Sequence, residues 1–229
     1  KYYLCNQGLG RPDAYHIAPI FLGFGLQTYG GFVDEQGIAN LNLPEAYAAA
    51  EWIQAFSAVE PAITGPGICQ AMFIEGQTPI WWTGPRAIRS LQEAGMDFGI
   101  APMGSPFVDV RLFMLTQIAV DRGNAAEAFA VMQYFSSAEV QKQLTLRNGI
   151  IPANSEALAS PEVRALRTVA AFGAALHLGT PMPNHPYADC PWGPVGDAVT
   201  SIWNGVLSPS LALEQAQASL EACIRSIGK

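Results

Sequence analysis

Residues 76–86 read GQTPIWWTGPR. Pro79-Ile80-Trp81-Trp82 is a short apolar run bounded by Gly76 and by Gly84-Pro85, the punctuation of a strand. The helical pattern Ala87-Ile88-Arg89-Ser90-Leu91-Gln92-Glu93 follows at once. The stretch therefore reads as a strand, a tight Thr-Gly-Pro turn and a helix. In an open α/β sheet, ligands sit at the carboxyl ends of strands, where such turns lie. A Trp before this turn and Arg86 after it are candidates to face a cleft. Adjacent strand residues point to opposite faces, so one of Trp81 and Trp82 is free to reach ligand. Trp82, nearer the turn, is the candidate, and packing of both in the core is the alternative.

The chain has 229 residues, half of them hydrophobic and 14% charged, which allows a sizeable core in one large domain or two small ones. A net charge of −7, with Lys and Arg scattered singly, argues against nucleic acid as a partner. No apolar run is long enough to span a bilayer, and no signal peptide is present, although a mature secreted form would have lost one. Cys5, Cys69, Cys190 and Cys223 are far apart and form no CxxC, which disfavours a zinc or redox motif. Three full pairings remain open, as do buried thiols acting as small apolar groups. An oxidising compartment would favour disulfides.

Outward from the anchor, Lys1-Tyr2-Tyr3-Leu4-Cys5 reads as a strand entering at full strength, as if cut from something longer. It runs into a polar loop, Asn6 to Asp13, holding Gly8, Gly10 and Pro12. The apolar stretch from Ala14 to Leu26 begins with Tyr15 and His16 at a helix entry, where they can line a pocket. His16 reads equally as a hydrogen-bonded rim residue, and Pro19 is expected in the helix's first turn. Gly30–Gly37 reads as a small hairpin. Leu43-Pro44-Glu45 starts a helix through Val59, with Ala46, Ala49, Ala50, Ile53 and Phe56 on its buried face. Cys69 to Glu75 is a short helix.

Beyond the anchor, Met96–Pro102 alternates like a strand, and Val110–Val120 is the longest strand-like run. Arg111 is its one charged residue, readable as an edge ion pair or as a cleft residue on a crossover strand. Helices are expected from Asn124 to Phe135, from Ala138 to Leu146 under a Ser136 or Ser137 cap, and over 161–176. The stretch from Thr180 to Trp192 holds four prolines and reads as rigid, largely without regular hydrogen bonding, and as a binding edge carrying His185, Tyr187, Asp189, Cys190 and Trp192. A helix over 193–207 and a last amphipathic helix, through Leu211, Leu213, Ala216, Leu220, Ala222 and Ile227, close the chain.

No GxSxG, HExxH or Walker loop occurs, and His16, His177 and His185 lack metal-ligand spacing. What remains is aromatic: Tyr15, Trp82, Tyr187 and Trp192, each near a turn. Aromatic faces bind the apolar faces of sugar rings, while Asp, Arg and Gln take the hydroxyls. The order of AEWIQAF, MFIEGQTPIWWTGPR, FGIAPM, LTQIAV, AFAVMQYF with SSAEVQKQL, NGIIPANSEAL, and PMPNHPYADCPW with the closing helix resembles the C-terminal two-thirds of an extracellular solute-binding protein of the maltose-binding type (family 1).

The resemblance implies an α/β fold, the periplasmic-binding-protein type II, in which two lobes close over a ligand about a hinge of crossing strands. It implies a protein that delivers sugars, typically oligosaccharides, to the membrane permease of an ABC importer from the periplasm or cell exterior, lipid-anchored or soluble. Such proteins catalyse nothing and need no cofactor or metal. Tyr15 and Trp192 fall on stacking positions. His16 replaces another common aromatic, and Arg86 stands where the family usually has Trp; its guanidinium can stack or donate hydrogen bonds instead, and Trp82 is the other candidate to compensate. With Arg111 and Asp189 these make up the expected ligand-binding set.

Residues 1–112 and 163–229 would belong to the C-terminal lobe and 113–162 to the N-terminal lobe, so the chain would be a fragment. An enzyme on the same fold, thiaminase-like with Cys190 as nucleophile, is the alternative, as is a binder of a non-sugar solute such as a polyamine or glycerol phosphate. Orphaned helices over 124–158 would expose apolar faces and so pack on a neighbour or rearrange. Light scattering should then report a solution mass above the 24.5 kDa of one chain; a clean monomer with every helix ordered would count against the expectation.

Overall fold

A computed structural model describes residues 2–6, 8, 12–61 and 63–227. Lys1 of the expected opening strand and Gly10 of the expected loop lie outside the described residues. In chain order the elements are β1 (Cys5–Asn6), α1 (Ala14–Gly23), α2 (Pro44–Phe56), α3 (Pro66–Ile74), β2 (Trp81–Trp82), α4 (Ile88–Glu93), β3 (Phe107–Val108), α5 (Gln117–Asp121), α6 (Ala125–Ser136), α7 (Ala138–Asn148), α8 (Ser155–Ala159), α9 (Pro161–Arg164), α10 (Arg167–Leu178), β4 (Thr180–Pro181), α11 (Trp192–Trp203) and α12 (Pro209–Ile227). They gather into two compact units, one of Lys1–Ala87, Pro102–Val108 and Leu178–Lys229, the other of Ile88–Ala101 and Asp109–His177.

In the first unit, Asp13 starts α1 by accepting the His16 backbone N–H at 3.1 Å, satisfying one of the orphan donors of a helix start. Pro19 therefore falls in the helix interior rather than in the first turn. It cannot donate to the carbonyl of Tyr15, and the helix continues because Ile17, Phe21 and Leu22 are fully buried. Burial of each such side chain is worth roughly 1.5–3 kcal/mol. Against this face pack Ala46, Ala49, Ala50 and Ile53 of α2 and Val195, Val199, Ile202 and Trp203 of α11. The buried stripe of α12 is Ala212, Leu213, Ala216 and Leu220. Leu211, Ala222 and Ile227, expected on that stripe, are exposed; Leu211 and Ala222 fall off the buried arc, and Ile227 is the last residue of the helix.

Two parallel strand pairs complete the unit. β1 pairs with β2 in the register Cys5 to Trp81 and Asn6 to Trp82. The two tryptophans divide as adjacent strand residues must: Trp81 packs beside Cys5, Cys69 and Met72, and Trp82 against the large core. β3 pairs with β4, Phe107 opposite Thr180 and Val108 opposite Pro181. The proline-rich stretch thus has regular pairing after all, with the N–H groups of Thr180 and Met182 donating to Pro106 and Val108. Prolines 181 and 183 lack only donors this edge does not use.

Disulfides join Cys5 to Cys69 and Cys190 to Cys223 across 64 and 33 residues of chain. Closing loops of that length restricts the unfolded chain by about 4 kcal/mol each. One bond fastens β1 to α3, the other the approach to α11 to α12.

The second unit departs further from expectation. Neither 96–102 nor 110–120 forms a strand; 109–116 is irregular and α5 takes up the rest. A strand exists only as a member of a ladder, and no described residue pairs with either run. Its side chains stay in solvent, with Leu112 74% and Met114 82% exposed. The helix expected over 161–176 breaks at Ala165–Leu166 into α9 and α10. Ser137 caps α7 through Val140 N–H, as expected, and Asn154 caps α8 by accepting from Glu156 and Ala157.

Glu60 is 4% exposed, and its Oε2 accepts the Asn6 N–H at 3.3 Å beside β1. Burial pushes its carboxyl up from 4.5 to about 8, against the smaller opposing pull of that N–H. A carboxyl that holds its proton more tightly when folded stabilises the fold below its unfolded value, and this is lost as pH rises to the folded one. The thermal midpoint should fall between pH 4.5 and about 8 for this reason. Glu60→Gln, which keeps the acceptor and cannot ionise, should flatten that fall; an unchanged pH profile would refute the assignment.

Candidate functional site

The N-termini of α1 and α11 lie against one another. Gly196, one turn into α11, lies so close to α1 that a Cβ there would stand 3.0 Å from the Asp13 nitrogen and 3.1 Å from the Pro12 carbonyl carbon. Tyr15 heads one helix and Trp192 the other.

Between them stands a ring that sequence reasoning missed. Phe107 of β3 lies 6.0 Å from the Tyr15 ring, tilted by 33°, and 6.0 Å from the Trp192 ring at 80°. The plane of Phe107 is thus inclined to that of Tyr15 and nearly perpendicular to that of Trp192. Tyr15 is 43% exposed, and Phe107 and Trp192 are half-buried. Polar groups rim the rings. Asp13 Oδ2 is 2.8 Å from His16 Nδ1, an anchor that favours the Nδ1–H tautomer, and the imidazole meets Tyr15 edge-on at 5.2 Å. Asp189 accepts from Trp192 Nε1 at 3.3 Å. Flat apolar faces beside hydrogen-bonding groups suit a ligand with one apolar face and polar edges.

Tyr15, His16, Asp189 and Trp192 are thus brought together. Trp82 is not among them; it lines a groove of about 260 Å³ with Ile20, Gly23, Phe24, Trp52, Met103 and Gly104. Arg86 is exposed on the single-turn 3₁₀ helix after Gly84. Arg111 belongs to the second unit, exposed on an irregular segment and not on a crossover strand. Tyr187 packs against the core. Cys190 is bonded to Cys223, so it offers no thiolate, and the thiaminase-like reading loses its nucleophile. Asp13 carried a readable signal, an N-cap residue before an apolar periodic run. Phe107 carried none, because its partners are 92 and 85 residues away in the chain.

Phe107 is held from both sides. Pro19 O accepts the Ser105 N–H at 3.1 Å, and Ser105 Oγ donates to Leu178 O at 2.7 Å. Gly104, at φ +62°, passes so close beneath α1 that a Cβ would fall 2.1 Å from Pro19 O.

An α/β unit that opens paired helix N-termini and a floor of rings to solvent has the features of a solute-binding protein. The chain belongs to the bacterial extracellular solute-binding protein family, whose profile matches residues 13–171. It is 30% identical over 218 residues to the maltotriose-binding protein of Pyrococcus abyssi (strain GE5 / Orsay), an alignment covering 88% of this chain and 47% of that protein. The chain therefore spans about half the length of that relative. The maltose/maltodextrin-binding domain of Bdellovibrio bacteriovorus bound to maltotriose is similar in structure, with TM-score 0.81 and 23% identity, over 98% of this chain and 60% of that one. The maltose-maltodextrin binding protein of Alicyclobacillus acidocaldarius gives 0.77 and 21%, over 96% and 62%. These likenesses carry the fold, which is the periplasmic-binding-protein type II expected from the sequence. Among the described residues no helix is long and apolar enough to cross a membrane.

Gly104→Ala should lower the thermal midpoint by about 5–10 °C, since backbone on backbone cannot yield cheaply. A midpoint within a degree of the wild type would show that the crossing under α1 is not tight.

Proposed function

We propose that this chain holds a sugar, of the oligosaccharide class, as the non-catalytic binding component of an ABC importer. The observation that carries this is the solvent-open surface of Tyr15 and Trp192, bridged by Phe107. The pyranose C–H face would lie against the rings, and His16 and Asp189 would meet its hydroxyls. Trp82, Arg86 and Arg111 enter as ligand contacts only on the expectation from sequence. The names of the similar proteins, for maltotriose and maltodextrin, favour an α-linked glucose oligomer.

The working protein acts from the periplasm or cell exterior, lipid-anchored or soluble, and passes its ligand to a membrane permease. Residues 1–112 and 163–229 form its C-terminal lobe and 113–162 part of its N-terminal lobe. The break between Val108 and Asp109 supports the first boundary, while 88–101 and 163–177 group with the second compact unit. Calorimetry of the full-length protein against mono- and oligosaccharides tests the reading. Tyr15→Ala and Trp192→Ala should each weaken oligosaccharide binding by about 10–100-fold. Absence of heat with every sugar, or full affinity in both variants, would reject it.

A further inference from the structure

We infer that Phe107 is the middle ring of the binding surface and sets which sugars it accepts, an inference that rests on the sugar-binding reading above. Tyr15 and Trp192 each have a reason to be where they are, at the starts of two helices. Each touches Phe107, and the two 6.0 Å steps through it cap their separation at 12 Å. Without the Phe107 ring, Tyr15 and Trp192 would each lose the ring that joins them.

The position is stiff as well as central. β3 is paired to β4 on one side, and the two residues before Pro106 are fixed under α1 at Pro19. Phe107 is half-buried, so part of its ring contributes to the surface while the rest packs on the core. Its plane is 33° from that of Tyr15 and 80° from that of Trp192, so the three rings meet at a corner. A corner of this kind accepts a chain of sugar rings that turns as it passes from one ring to the next. A single pyranose covers only one of the three aromatic faces. Phe107 is therefore assigned a direct contact that matters more as the ligand lengthens.

The test uses the full-length protein and three forms, wild type, Phe107→Leu and Phe107→Tyr, titrated with glucose, maltose and maltotriose, with thermal midpoints measured in parallel. Phe107→Leu keeps apolar volume and removes the ring. It should lower maltotriose affinity about tenfold, and glucose affinity much less, with the midpoint nearly unchanged. Phe107→Tyr should restore binding. Equal affinity of wild type and Phe107→Leu for maltotriose overturns the inference and leaves the sugar reading intact. A loss that is uniform across the three sugars, follows a fallen midpoint and is not rescued by Tyr reduces Phe107 to a packing residue and also overturns it. Failure of the wild type to bind any sugar removes both.

Discussion

One crossing governs the first unit: the segment Gly104–Val108 passing beneath α1. Pro19 contributes to it through what it lacks and what it keeps. It has no N–H to give its own helix, and its carbonyl is turned to the Ser105 N–H. Gly104 is required there because any side chain would collide with that carbonyl. From this crossing the chain goes directly into β3, which pairs with β4 and leads through the proline-rich loop to α11. The relative placement of Tyr15, Phe107 and Trp192 follows from a few hydrogen bonds and one close backbone approach. Position by rigid backbone suits a stacking surface, because ring-on-ring attraction is short-ranged and is lost with a small displacement.

Two disulfides fasten other parts of this unit. Cys5–Cys69 fastens the strand whose end runs toward the α1 loop, and Cys190–Cys223 fastens the residues just before Trp192 to α12. No cysteine is left free among the described residues. This use of cysteine agrees with an extracellular family, since such bonds persist in oxidising compartments. It also closes the catalytic alternative, which needed Cys190 as a thiolate. The strands themselves are only two residues long, so cross-links and helix packing carry more of the stability of this unit than ladder hydrogen bonds do.

The second unit shows the opposite balance. Two of its helices, α7 and α8, are capped by the side chains of Ser137 and Asn154, yet few of its large apolar side chains are buried. Capping satisfies backbone donors locally and costs no partner. Burial needs an opposing surface, and strand formation needs a neighbouring strand. The run from Val110 to Val120 has the composition of a strand without a ladder, so it remains irregular until Gln117, where local hydrogen bonding is enough for a short helix.

What the residues determined by themselves was everything that depends on near neighbours. The helix starts at Ser137 and Pro161, the buried face of α2, the strand at Trp81–Trp82 and the turn after it were legible because caps, periodicity and punctuation act within a few residues; Asn124 marks the start of α6 but its side chain makes no cap bond. The family could be read from the order of its segments. Tyr15, His16, Asp189 and Trp192 were legible as candidates through their residue type and place beside turns. Tertiary structure alone decided which cysteines pair, that Trp82 lines a groove with Trp52 and Met103, and that Phe107 contacts two rings far away in the chain. It also decided that two strand-like runs stay unpaired, because a ladder, a disulfide and a shared surface are relations between distant segments. Local pattern specifies the pieces, and only the packed chain settles which of them meet.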